Sequence, residues 1–162
     1  MTAGKIIFLF MLVGCATSTQ WIHFNGVPTH RASTPVSTFY IDQIPSRALA
    51  SYHNAIAYIN AEIGCRLLEA PGVPTLNAIE LRCWHERGGL STNSMKGQTI
   101  THAVVQIPCA GSDVIAVHEL LHALGLAHDD DLGSIMYPYV VGSGLHIRQN
   151  DKASLFRRYC HD

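Results

Sequence analysis

The chain reads as a single α+β domain, and three observations predict it. Its 162 residues suffice for one domain with a core of its own but not for two of comfortable size. Apolar residues make up 48% and charged residues 14%, a balance that excludes the disordered class. The hydrophobic period alternates along the chain in the order strand, helix, strands, helix, long loop, helix.

Residues 16–35 carry Pro28, Pro35 and several Ser and Thr without a clear period, and read as a tether and lead-in loop. Val36–Ile41 (VSTFYI) is rich in β-branched and aromatic residues and predicts a strand. A helix follows near Pro45, with Ser46 as its candidate cap. Leu49, Tyr52, Ile56, Ile59 and Ile63 recur at steps of three and four residues, and Gly64 stops the run. Cys65–Leu68 and Ala78–Trp84 read as two short strands. His85–Gln98 is polar and glycine-rich and predicts a loop with at most one short edge strand. Thr99–Ile107 (TITHAVVQI) is the strongest strand signal, ended by Pro108. Ser112 or Asp113 caps a helix that runs to Gly125. Residues 126–148 look irregular, and a last helix covers about Asn150–Tyr159.

Lys and Arg number 11 against 12 Asp and Glu, a net charge of -1 with no basic run, which gives no reason to propose a nucleic-acid partner. Residues 1–14 are of another kind. Lys5 precedes an apolar run, Ile6–Val13, too short to span a bilayer as a helix. Leu12-Val13-Gly14-Cys15 resembles the lipobox of a bacterial lipoprotein signal. That resemblance implies cleavage before Cys15 and a lipid anchor on its thiol, in the cell envelope on the outer side of the cytoplasmic membrane. The alternative is an ordinary secretory signal with an incidental cysteine. The expected organisation is a signal over 1–14, a lipidated tether and lead-in loop over 15–35 and one folded domain over 36–162. Cys65, Cys83, Cys109 and Cys160 remain, an even number in an exported chain, and allow three disulfide connectivities. None lies at C-x-x-C spacing, which disfavours zinc ligation by thiolates.

The chemistry concentrates in HELLHALGLAHD, His118–Asp129. Side chains four apart on a helix point about 40° apart, so His118 and His122 can reach one point. Gly125 permits a bend, and His128 can return as a third ligand. Three neutral imidazoles leave one position open, as a catalytic zinc site does. Glu119 lies beside the first ligand. The leucines and alanines between would bury such a helix with or without a metal. The spacing of all three histidines with the glutamate and the glycine argues for the metal. His23, His30, His53, His85, His102, His146 and His161 have no ligand spacing to one another.

This stretch resembles the metzincin signature HExxHxxGxxHD, and SIMYPY, Ser134–Tyr139, resembles its Met-turn. The resemblance implies a metzincin-like fold: a small twisted, mainly parallel sheet with two helices, the active-site helix among them, then a Met-turn and a C-terminal helix. It also implies one catalytic Zn2+ on His118, His122 and His128, Glu119 as general base, and Met136 as a floor beneath the metal. Family features are mixed. The order Met136-Tyr137-Pro138 is similar to matrixins, as is the last helix. The SIM of the Met-turn and the cysteines are similar to astacins, and Asp129 is similar to adamalysins. Pro138 stands where astacins carry a tyrosine. The astacin resemblance pairs Cys65 with Cys160 and Cys83 with Cys109.

The activity implied is endopeptidase hydrolysis of proteins or peptides by zinc-activated water, by a monomer. Substrate would lie along a sheet edge within residues 90–104, with Tyr137, Pro138, Tyr139 and Val140 walling a side-chain pocket and Asp129 orienting the third ligand's loop. The alternatives are a non-catalytic binding lipoprotein on the same scaffold and a hydrolase of cell-wall peptide cross-links.

Overall fold

The computed structural model describes residues 23–24, 35–41, 43–73, 78–96, 99–139 and 146–160. The signal, Cys15 and Val140 lie outside the described residues. The elements are β1 (His23–Phe24), β2 (Thr38–Tyr40), α1 (Ser46–Ile63), β3 (Ile79–Trp84), β4 (Leu90–Lys96), β5 (Thr99–Pro108), α2 (Asp113–Ala123) and α3 (Gln149–Tyr159). Together they make a small α+β unit around a mostly parallel sheet. No helix among the described residues is long and apolar enough to cross a membrane.

The long strand β5 organises the sheet. Its residues pair in parallel with β1 at Thr99–Ile100 and with β3 at Ala103–Pro108, while β4 runs antiparallel along its other side. Because Thr99 and Ile100 pair with both β1 and β4, β1 and β3 share one side of β5. β4 is therefore an edge, and β2, parallel to β3, is the opposite edge. Ile79, Leu81, Ala103, Val105 and Ile107 meet Tyr52, Ile56 and Ile59 of α1 and Leu120 and Leu121 of α2 in one core. Tyr52 is fully buried at this seam, and its hydroxyl donates to the carbonyl of Arg82 at 2.6 Å and lies 2.9 Å from that of Val105. Such pairing is what makes a phenol tolerable in a core.

Four expectations need correction. The lead-in segment 15–35 contains β1, a tertiary pairing too short to leave a local period. Cys65–Leu68 is no strand beyond one bridge, Val36 to Leu68. The reason is Asn60 of α1: its Oδ1 accepts from the amides of Leu67 and Leu68, and its Nδ2 donates to the Leu68 carbonyl. Those groups are thereby satisfied without a ladder. Ser46 is the first helical residue and caps nothing; Pro45 holds the cap position with extended backbone, and its carbonyl accepts from Leu49 N. Finally, the edge strand for which the expected loop over His85–Gln98 left room is not short: β4 takes seven residues. Its LSTNSMK sequence does not alternate apolar with polar, so the strand signal is weak although all seven residues pair with β5, across a bulge between Ser94 and Met95.

Cys65 is bonded to Cys160, joining the ends of α1 and α3, and Cys83 to Cys109, joining the ends of β3 and β5.

Candidate metal centre

α2 starts where Ser112, in extended conformation, accepts the amide of Ile115 on its hydroxyl. It stops in a Schellman turn. Gly125 takes a φ of 93°, its amide donates to the His122 carbonyl, and the Leu126 amide reaches back to Leu121. The turn delivers the Leu126 carbonyl to His122 Nδ1 at 2.7 Å. His118 Nδ1 meets the Ile135 carbonyl at 2.6 Å. A carbonyl only accepts, so both rings carry their proton on Nδ1 and leave an Nε2 lone pair free.

Those two Nε2 atoms converge to 3.0 Å, and His128 closes the group, with one ring nitrogen of each residue within 4.8 Å of the others. A tetrahedral zinc with bonds of about 2.0–2.1 Å holds its ligand nitrogens roughly 3.4 Å apart, so modest adjustment would seat it. Protonation states agree with that use. Burial, the neighbouring His118 and His128 push His122 down to about 4, against its hydrogen bond to Leu126. Burial also lowers His118, with a contribution from His128, and lowers His128 itself. Three neutral imidazoles are the form that binds a metal. These residues can therefore hold a metal ion.

Glu119 follows His118 on α2 and is 6% exposed; burial raises its carboxyl to about 7. Such a group exchanges a proton near neutrality. Met136 is 1% exposed, and its carbonyl accepts from Asp129 N at 2.9 Å, lacing the loop of His128 to the Met-turn. Tyr137 and Pro138 are half-buried, whereas Tyr139 is 71% exposed and belongs to a rim.

Three contributors leave no sequence signal of their own. Asn93 of β4 donates to the His122 carbonyl at 2.9 Å, fixing the edge strand to the ligand helix. Gly89 packs on Glu119. Arg148, just before α3, donates to Asp129 Oδ2 at 2.7 Å, while Asp129 Oδ1 accepts from Asp131 N. The carboxylate thus holds the loop after His128 from both sides. Replacing Arg148 with Ala is expected to weaken metal binding roughly tenfold, the low end for partners of ligand loops, and Arg148→Lys should recover part of it. Competition against a chelating dye measures both.

No curated protein matches this chain. The family model for Matrixin matches residues 97–160, which run from the start of β5 through α2, His128 and Met136 to the end of α3. Of the families whose features the sequence mixes, the match is to the matrixins. Together with the histidine triad, it supports a metzincin-like zinc metallopeptidase family for this chain.

Proposed function

We propose that the protein is a zinc-dependent endopeptidase that cuts internal peptide bonds outside the cytoplasmic membrane, held to the envelope by a lipid on Cys15. The observation that carries the activity is the convergence of His118, His122 and His128 beside a buried carboxylate whose proton affinity is near neutral.

Zinc bound by the three histidines would supply Lewis-acid chemistry toward the attacking water and the scissile carbonyl. The carbonyls of Ile135 and Leu126 hold two ligand rings in the competent tautomer. Glu119 takes a proton from the attacking water onto its carboxylate and gives it to the leaving amine. Among the described residues β4 has no strand paired on its outer side, and it carries Ser, Thr and Asn side chains, an edge suited to pairing with an extended peptide. Asn93 keeps that edge in fixed relation to His122.

The test is incubation of the purified mature chain with unfolded casein and, separately, with purified peptidoglycan. Casein is expected to be cut, the cutting to stop when metal is stripped and to return with zinc. Release of wall peptides without casein fragments would favour the cross-link hydrolase. Zinc binding with neither product would leave a binding protein. Mass spectrometry of the membrane-extracted chain reads the lipid, and an unmodified Cys15 would rule out the anchor.

A further inference from the structure

Gly89 ends the loop after β3 and leads into β4, and its backbone lies against the reactive face of α2. A Cβ at this position would stand 2.5 Å from Glu119 Cγ and from Ile115 Cγ2, and closer still to Glu119 Oε1. Ile115 and Glu119 are about one helical turn apart, so the backbone of residue 89 occupies the groove between their side chains. The preceding glycine is different. A Cβ on Gly88 would meet nothing within 4 Å.

The segment cannot easily retreat. On one side the Gly88 carbonyl accepts from Trp84 Nε1 at 2.8 Å. On the other, Leu90 is in register with Gln106 of β5, and Asn93 is bonded to the His122 carbonyl. An alanine at position 89 must therefore be accommodated by side chains of α2. The softest of these is the Glu119 carboxylate, the free end of a flexible chain. Among the described residues no side-chain hydrogen bond to that carboxylate is seen, and burial is what shifts its proton affinity.

We propose that Gly89 is a positioning residue for the general base: its missing side chain leaves the slot in which the Glu119 carboxylate is held toward the histidine site. The proposal rests on reading Glu119 as the base. It separates two costs that usually travel together. Turning a glutamate aside costs the fold a few degrees in Tm, but it moves the proton acceptor off a reacting atom, where a displacement of about 1 Å can cost up to about 100-fold in rate.

Two measurements test it. With zinc-loaded protein and unfolded casein, Gly89→Ala should lower kcat by about 10- to 100-fold with KM and zinc affinity unchanged, while Gly88→Ala keeps the parent kcat. In thermal melts, Gly89→Ala should lower Tm by about 3 °C or more in the parent chain and by clearly less in the Glu119→Ala background, where the obstructing carboxylate is gone. The melts need no activity, so they judge the contact even if casein is not cut. Should Gly89→Ala fail to fold, recovery of folding in the Glu119→Ala background supports the proposal and continued failure overturns it. A parent-like kcat in Gly89→Ala, or an equal loss of Tm in both backgrounds, also overturns it.

Discussion

Glu119→Gln is expected to lower casein cleavage by about 10³- to 10⁴-fold while zinc stays bound. The amide keeps the shape of the side chain and can neither take nor give the proton. The rings of His118 and His122 are oriented by the carbonyls of Ile135 and Leu126 and not by Glu119, so the histidine site has no reason to fall with it. The same variant carries an expectation of opposite sign for stability. In the metal-free protein burial raises the Glu119 carboxyl from 4.5 to about 7, so the folded state prefers the protonated form. The stabilisation tied to that proton is complete below about pH 4.5 and is lost as the pH rises through 7. Glutamine undergoes no such loss. At pH 8 the metal-free variant should therefore be the more stable, by at most roughly 3 kcal/mol, with the gap closing toward acid pH. Urea melts at pH 5 and pH 8 read this directly. A variant less stable than the parent at pH 8 would show that the carboxylate serves the fold.

That pattern, a group that weakens the fold where it stands, explains why this part of the molecule was legible in sequence. A hydrophobic helix gains nothing from His118, Glu119 and His122, and their spacing repeats a geometric demand of metal binding. Gly125 was legible for a similar reason: a left-handed residue after a helix has few chemical solutions. The supporting contacts were not. Asn93 acts on a backbone carbonyl that any residue at 122 would offer, and Gly89 acts by an absence. Arg148 reaches Asp129 from a segment nineteen positions away. In the fold, α1 was read from its period and β5 as the strongest strand signal, whereas β4 was read only as room for one short edge strand and β1 not at all. β4 sets Ser, Thr and Asn between Leu90 and Met95 without alternation, and β1 pairs with β5 over two residues. Asn60 shows the converse case, where one side chain satisfied backbone groups that local composition had assigned to a strand.

Replacing Cys65 and Cys160 with alanine should destabilise the protein more than replacing Cys83 and Cys109. The first bridge closes a loop with a sequence separation of 95 and the second one of 26. In the chain-entropy model these closures contribute about 4.7 and about 3.5 kcal/mol. Against a typical domain stability of about 5–15 kcal/mol, the larger is a third or more of the whole. Native contacts push the same way. Cys83 and Cys109 sit at the end of a ladder that already pairs Trp84 with Pro108, and the Cys109 amide donates to the Trp84 carbonyl. The 11-residue α3 is too short to be stable alone and depends on docking, through Leu155, the Lys152–Glu62 ion pair and Tyr159, whose hydroxyl donates to the Leu124 carbonyl. Loosening α3 also loosens Arg148 at its start, and through Asp129 the loop that carries His128. Loss of the Cys65–Cys160 bridge should therefore weaken zinc binding as well as stability, while loss of the other bridge lowers stability alone. Urea denaturation and dye competition on the two double variants separate these effects. Equal stability losses in both would count against the loop-length argument, and unchanged zinc affinity without the first bridge would sever α3 from the metal centre.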